Sequence, residues 1–255
     1  MKLKYPAEAF ALAIVIFSSG MKASFTAGIL VILAVVFAEF LKNLLEDFLP
    51  GWSVKACVFI GAASLSAGAF TLGFGALSIP VITQTWLLTF LIGLFAAKYV
   101  LESDLQADYG ELFWESGVIW GCWILLAAIR EFMGAGKIFG FYIARTTMQS
   151  GTFQEVFFGF LTAGLVLAFT NGILKKRNAY TNSLLLILPI VILARPFSME
   201  SVSGIAGIIW TMVIPVIMFI SVRKTLKFSR TGRSFRGLPV EMLSMGFIYM
   251  ILSIY

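Results

Sequence analysis

The sequence of 255 residues contains no histidine. That absence excludes a Ser-His-Asp triad, histidine-ligated haem and histidine-containing zinc sites. Cysteine is scarce: Cys57 and Cys122 lie 65 residues apart, each in or beside an apolar run. Two thiols cannot supply the four ligands of an iron–sulfur cluster held by one chain, although a cluster shared with another subunit remains open on number alone. The plain reading of both is a small side chain packed as a hydrophobe. Charge is scarce as well, at 13% of residues against about 25% in ordinary soluble domains. What is abundant is apolar: 60% of residues are hydrophobic and the mean hydropathy is +0.95. These proportions describe an all-α polytopic membrane protein. No cleavable signal is expected, because Met1-Lys-Leu-Lys leads into a short apolar run without a small-x-small site, and further runs follow.

The net charge of +6 does not point to nucleic acid. Its basic residues fall in short loops between apolar runs, where the bias of lysine and arginine toward the inner side of a membrane explains them. Apolar runs occupy residues 7–19, 25–45, 55–79, up to 101, 112–133, 156–174, 183–197, 203–222 and 238 onward. With the N-terminus inside and nine crossings, the inner side receives Lys2, Lys4, Lys42, Lys55, Lys98, the 175–177 cluster and six basic residues from 223 to 236. The outer side receives only Lys22, Lys137, Arg145 and Arg195. The basic loop 223–236, interleaved with Phe228 and Phe235, suits anionic headgroups or a cytosolic partner. The expected setting is a bacterial or archaeal cytoplasmic membrane.

The run starting at Ala27, "AGILVILAVVFAEFLKNLL", resembles "SGVIWGCWILLAAIREFMG" from Ser116, at an offset of 89 residues. Each has a small start, an apolar body and charges near its end. Three runs separate the copies, so a genuine repeat would be inverted.

Four charged residues stand out. Glu39 lies within the second run, Lys98 near the end of the fourth, and Arg130 and Glu131 end the fifth. Ionisable groups in membrane segments are costly and are usually paired or turned toward a cavity. For Lys98 and Arg130 the plain alternative is a long side chain reaching the interface. Glu39 is shorter and higher in its run, which makes it the candidate for an ion or proton path. Arg130 and Glu131 are adjacent, so on a helix they point about 100° apart and bind something other than each other. The candidate partners are the backbone ends of a broken helix, or another subunit. "GAGKIFG" at 134–140 lacks the strand-before context and the Gly-Lys-Ser/Thr ending of a phosphate loop, and its glycines instead suit a tight exit from a helix.

The stretch "AAIREFMGAGKIFG" (127–140) resembles the signature of the paired integral-membrane subunits of the Rnf and Na⁺-pumping NADH:quinone oxidoreductase (Nqr) complexes. Their fifth helix ends in a segment like "REhhGxGthFG", with h apolar, and Arg130, Glu131, Gly134, Gly136, Phe139 and Gly140 match it. "LAVVFAEFLKNLLEDFLPGWSVKACVFIGAAS", "WLLTFLIGLFAAKYVLES" and "VFFGFLTAGLVLAFTNGILKKR" are similar, in order, to the family's second helix through the start of the third, its fourth helix, and its final helix with a basic tail. The resemblance covers about residues 7–177.

The resemblance implies an inverted three-plus-three helix repeat with broken first and fourth helices in residues 1–177. Residues 178–255 then form a C-terminal extension of about three hydrophobic helices. It also implies a [2Fe–2S] cluster shared between paired subunits, through cysteines on the first and fourth helices. Here the matching zones, around Phe10 to Ala13 and Leu88 to Phe90, carry none. "QSGTF" (149–153) does not match the flavin-bearing "SGAT"-like motif of sister subunits. The expectation is therefore a scaffold subunit of an Rnf/Nqr-like electron-transport complex, with coupling to Na⁺ or H⁺ movement. It would bind no cofactor alone, and iron–sulfur cluster and flavin would sit on partner subunits. Its partners would be the lipid bilayer and other membrane subunits, a homologous paired subunit among them. Any enzymatic part is at most a non-catalytic or electron-relay one. The alternative is a non-redox paralogue serving as a transporter-like subunit or membrane anchor.

Overall fold

In the computed structural model the chain is described at residues 5–79, 82–102, 109–144, 149–175, 183–194, 205–225 and 232–253. Nine α-helices occur among these residues. They are α1 (Ala7–Phe17), α2 (Met21–Glu46), α3 (Gly51–Ala76), α4 (Thr83–Glu102), α5 (Tyr109–Ala135), α6 (Val156–Leu174), α7 (Ser183–Ala194), α8 (Ile205–Thr225) and α9 (Leu238–Leu252). A hairpin of β1 (Lys137–Ile138) and β2 (Phe141–Tyr142) follows α5. The 177/178 boundary, Lys2, Lys4, Arg145, Arg195, most of the acidic stretch after α4 and much of the 223–236 loop lie outside the described residues.

Helices α2 to α6 are long and apolar enough to cross a membrane, which makes this an all-α polytopic membrane protein. Nine full crossings do not follow. Helix α1 has 11 residues. At 1.5 Å per residue it reaches about 16 Å, against a hydrocarbon core of about 30 Å. Helix α9, with 15 residues, is also short. Residues 18–19, part of the first apolar run, lie in the turn after α1 and do not continue it.

Helix α1 has no polar side apart from Glu8, and a helix that is apolar all round has to be surrounded. It is: Phe10, Ala11, Leu12, Ala13 and Ile14 are fully buried, and α1 packs on α2, α4, α6 and α7. At Gly159 of α6 the backbones approach so closely that a Cβ would land on the Val15 carbonyl oxygen. Such close approach is how membrane helices gain dispersion contacts when lipid and core are equally apolar. Helix α9 lies along α6 by a reciprocal arrangement in which Leu243 sits over Gly164 and Leu161 over Gly246.

The expected break in the fourth helix is not present. Helix α4 runs unbroken from Thr83 to Glu102. It contains no proline, and its one glycine, Gly93, is pressed against the Ala62 and Ala63 backbone of α3 rather than opening a turn. Helix α1 stops at Phe17 and α2 starts at Met21, with Gly20 extended between them.

Candidate functional site

The interruption at residues 18–20 leaves backbone groups of two helix ends inside the protein, and such groups need partners. The Ser24 hydroxyl lies 2.9 Å from both the Phe17 and the Gly20 carbonyl oxygens. The Met21 N–H, at the start of α2, donates to Glu131 Oε2 at 2.8 Å. A carboxylate at a helix N-terminus both accepts the orphan N–H and complements the dipole. The other oxygen of Glu131 accepts from the Gly140 N–H at 2.9 Å. One side chain thus fastens the start of α2 to the hairpin.

That hairpin explains the glycines. Gly136, with φ +67°, ends α5, and its N–H bonds to the Phe132 carbonyl at 2.8 Å. The two-residue turn between β1 and β2 is Phe139–Gly140, with φ of +58° and +81°. Positive φ at both positions is the I′ geometry that matches the twist of a tight hairpin. Phenylalanine is a costly residue there. Its ring packs near Phe25 of α2, at 6.0 Å between centroids, and the bond from Gly140 to Glu131 holds the turn closed.

Arg130 points the other way, as adjacent helix positions must. Its Nε donates to the Phe153 carbonyl at 2.6 Å, and one terminal nitrogen donates to the carbonyls of Glu155 at 2.6 Å and Gln154 at 3.2 Å. The other terminal nitrogen donates to the Ser18 hydroxyl, just past the end of α1. The three carbonyls belong to the 3-10 turn Gly151–Gln154 and to Glu155, the residue before α6. Arg130 is only 5% exposed, so it does not reach out to headgroups. Gly134 lies on the same tip, beneath the Gln154 side chain. Together Arg130 and Glu131 tie the ends of α1, α2, α5 and α6 at one end of the bundle.

Lys98 lies elsewhere. Its ammonium pairs with Glu8 of α1, with Nζ 3.0 and 2.9 Å from the two carboxylate oxygens. Glu8 is in the first turn of α1, where a negative charge also favours the helix dipole. From Tyr5, just before α1, the hydroxyl donates to Asn171 Oδ1 of α6 at 2.8 Å, and Asn171 Nδ2 donates to the Ser234 carbonyl at 3.2 Å. Sequence reasoning missed Glu8, Ser18, Tyr5 and Asn171. Glu8 carried a signal, as an acid at the second position of an otherwise apolar run. The others carried none, because their partners are far away in sequence.

Glu39 is not brought to either cluster. It lies on α2 and is 1% exposed. Its Oε1 accepts weakly from Asn43 at 3.5 Å, and Tyr99 of α4 lies within its electrostatic reach. Glu115 of α5 is also fully buried and was likewise missed.

The zones where the family resemblance would place cluster cysteines meet in an apolar core. Phe10, Ala13 and Leu88 belong to one buried cluster, and Phe10 packs edge-on to Trp123. Thr89 gives its hydroxyl to the Trp86 carbonyl. Cys57 is exposed on α3 and Cys122 is on α5. An iron–sulfur cluster needs thiolates converging on it, so the residues in these zones do not fit one. Among the described residues, no group of three or more His, Cys, Asp or Glu side chains is placed to hold a metal ion. No protein-family model, curated protein or solved structure matches the chain.

Proposed function

We infer that this chain is a structural membrane subunit of an Rnf/Nqr-like electron-transport complex, coupled to Na⁺ or H⁺ movement, with the redox groups carried by its partners. The supporting observation is that Arg130 and Glu131, the charged pair of the "REhhGxGthFG"-like segment, hold the junction between α1 and α2 to the tip that follows α5. A signature kept for that architecture fits a scaffold role. The proposed inverted repeat also finds support in which helices touch. Exchanging the first three helices with the next three turns the α1–α6 contact into α4–α3 and the α2–α3 contact into α5–α6, and each of these pairs is packed. The halves differ in the unbroken α4, and also in packing: α1–α2 and α2–α4 are closely packed among the described residues, whereas their exchanged counterparts α4–α5 and α1–α5 are not. In this reading the N-terminus lies inside a bacterial or archaeal cytoplasmic membrane, and a homologous subunit is among the partners.

The apolar contact between α1 and α4 favours a second reading, a non-redox anchor or transporter-like subunit of another assembly. Fold alone does not choose between the two. Purification of the full chain from its native membrane, with identification of co-purifying subunits, iron and flavin analysis and a redox spectrum, separates them. Flavin- and iron–sulfur-bearing partners reduced by NADH or ferredoxin are expected. A stable native assembly without any redox group would overturn the electron-transport reading in favour of the second.

A further inference from the structure

Glu39 stands seven residues before the end of α2, where the carboxyl-bearing stretch packs through Ala34, Val35 and Ala38 into a cluster with Val58 and Ala62 of α3 and Ala96 of α4. It is 1% exposed. Among the described residues its buried Oε2 has no hydrogen-bond partner, and its Oε1 has the 3.5 Å contact with Asn43, at the long limit of a hydrogen bond. Among the described residues, the charged and titratable groups that act on it are Lys42 and Glu46 from its own helix and Tyr99 from α4. Glu111 of α5 faces the same Tyr99. A carboxylate with one bare oxygen in apolar surroundings is a high-energy arrangement, and the oxygen is satisfied when a positive species joins it.

We propose that Glu39 is a proton-binding site, its Oε2 taking a proton from water at the Lys42–Glu46 end of α2 and returning it, with the Tyr99 hydroxyl as the adjoining polar group. One O–H bond forms on uptake and breaks on release, and no electron moves. A multivalent metal is the poorer occupant, because no third acid, thiol or imidazole joins the site among the described residues. The site would serve the ion movement proposed above and rests on that reading for its purpose, but the chemistry belongs to the isolated chain.

Infrared difference spectra of the full-length chain in liposomes, recorded across pH steps in H₂O and D₂O, test it. The wild type should show the carbonyl band of a protonated carboxylic acid in apolar surroundings, shifting on deuteration. With Glu115, the other fully buried carboxyl among the described residues, replaced by Gln in every sample, Glu39→Gln should lose the band completely, Tyr99→Phe should move its frequency, and replacing KCl by NaCl should leave it unchanged. Circular dichroism checks that both variants fold. Absence of the band in the wild type, its survival in Glu39→Gln, or its abolition by sodium would overturn the proposal. If Glu39→Gln does not fold, Tyr99→Phe decides, and an unmoved band counts against the site. Redox partners found without the band would leave the subunit reading standing and remove the proton site, and the band without such partners would do the reverse.

Discussion

Replacing Arg130 by methionine keeps a long apolar stem and removes every donor. The wild-type guanidinium makes two short bonds, to the Phe153 and Glu155 carbonyls at 2.6 Å each, a longer one to Gln154 at 3.2 Å, and one to Ser18. Hydrogen bonds to a charged group contribute about 1.5–3 kcal/mol each. Counting the two short bonds gives a gross loss of about 3–6 kcal/mol. Two effects reduce it. The carbonyls are only partly buried and regain water, and the variant no longer carries the cost of a desolvated cation. A net loss of about 2–4 kcal/mol remains, which for a chain of this size lowers the melting temperature by about 4–16 °C. Thermal scanning of the full chain in mild detergent reads the shift. Hydrogen exchange reads its location, with faster exchange expected around residues 153–158 and 18–24 and little change in α3. Arg130→Lys, which keeps the charge but not the planar fork, should fall between the two. A methionine variant that melts within about 2 °C of wild type, equivalent to less than about 1 kcal/mol, would refute the view that Arg130 holds this end of the bundle together.

Two further outcomes follow from the same geometry. Glu131→Gln keeps one acceptor oxygen and puts an NH2 group where the other was, so one of the Met21 and Gly140 N–H groups loses its acceptor, at a cost of about 1–3 kcal/mol. It should raise amide exchange at that one of the two residues, and unchanged exchange at both would contradict the assigned bonds. Gly159→Ala drives a methyl group into the Val15 carbonyl and should destabilise the chain by about 1–3 kcal/mol, measured by the same melting assay. Gly121→Ala, which meets nothing within 4 Å, should be near neutral and serves as its control.

Much of the helical layout is legible in the sequence. Helix α6 spans the apolar run at 156–174, and α5 continues its run by one turn or less at each end. Long apolar segments in a bilayer have few alternatives to helix, since every backbone group has to be satisfied locally. The tip was partly legible too: Gly136 and Gly140 announce a turn because positive φ favours glycine. The continuity of α4 was not. Nothing in residues 83–102 breaks a helix, and the expected break came from family resemblance alone.

The sequence by itself determined that this is a membrane protein of apolar helices, that histidine chemistry is excluded, and that Arg130 and Glu131 cannot serve each other. Those conclusions rest on composition and on the 100° step between neighbouring helix residues, both of which are local. Only the tertiary structure decided what the charges do instead. Arg130 reaches Ser18, 112 residues away, Glu131 reaches Met21, 110 away, and Lys98 reaches Glu8, 90 away. Partners at such separations are chosen by how the helices pack around α1, and packing depends on shape and on which backbone groups are left open. No local pattern in the chain records it.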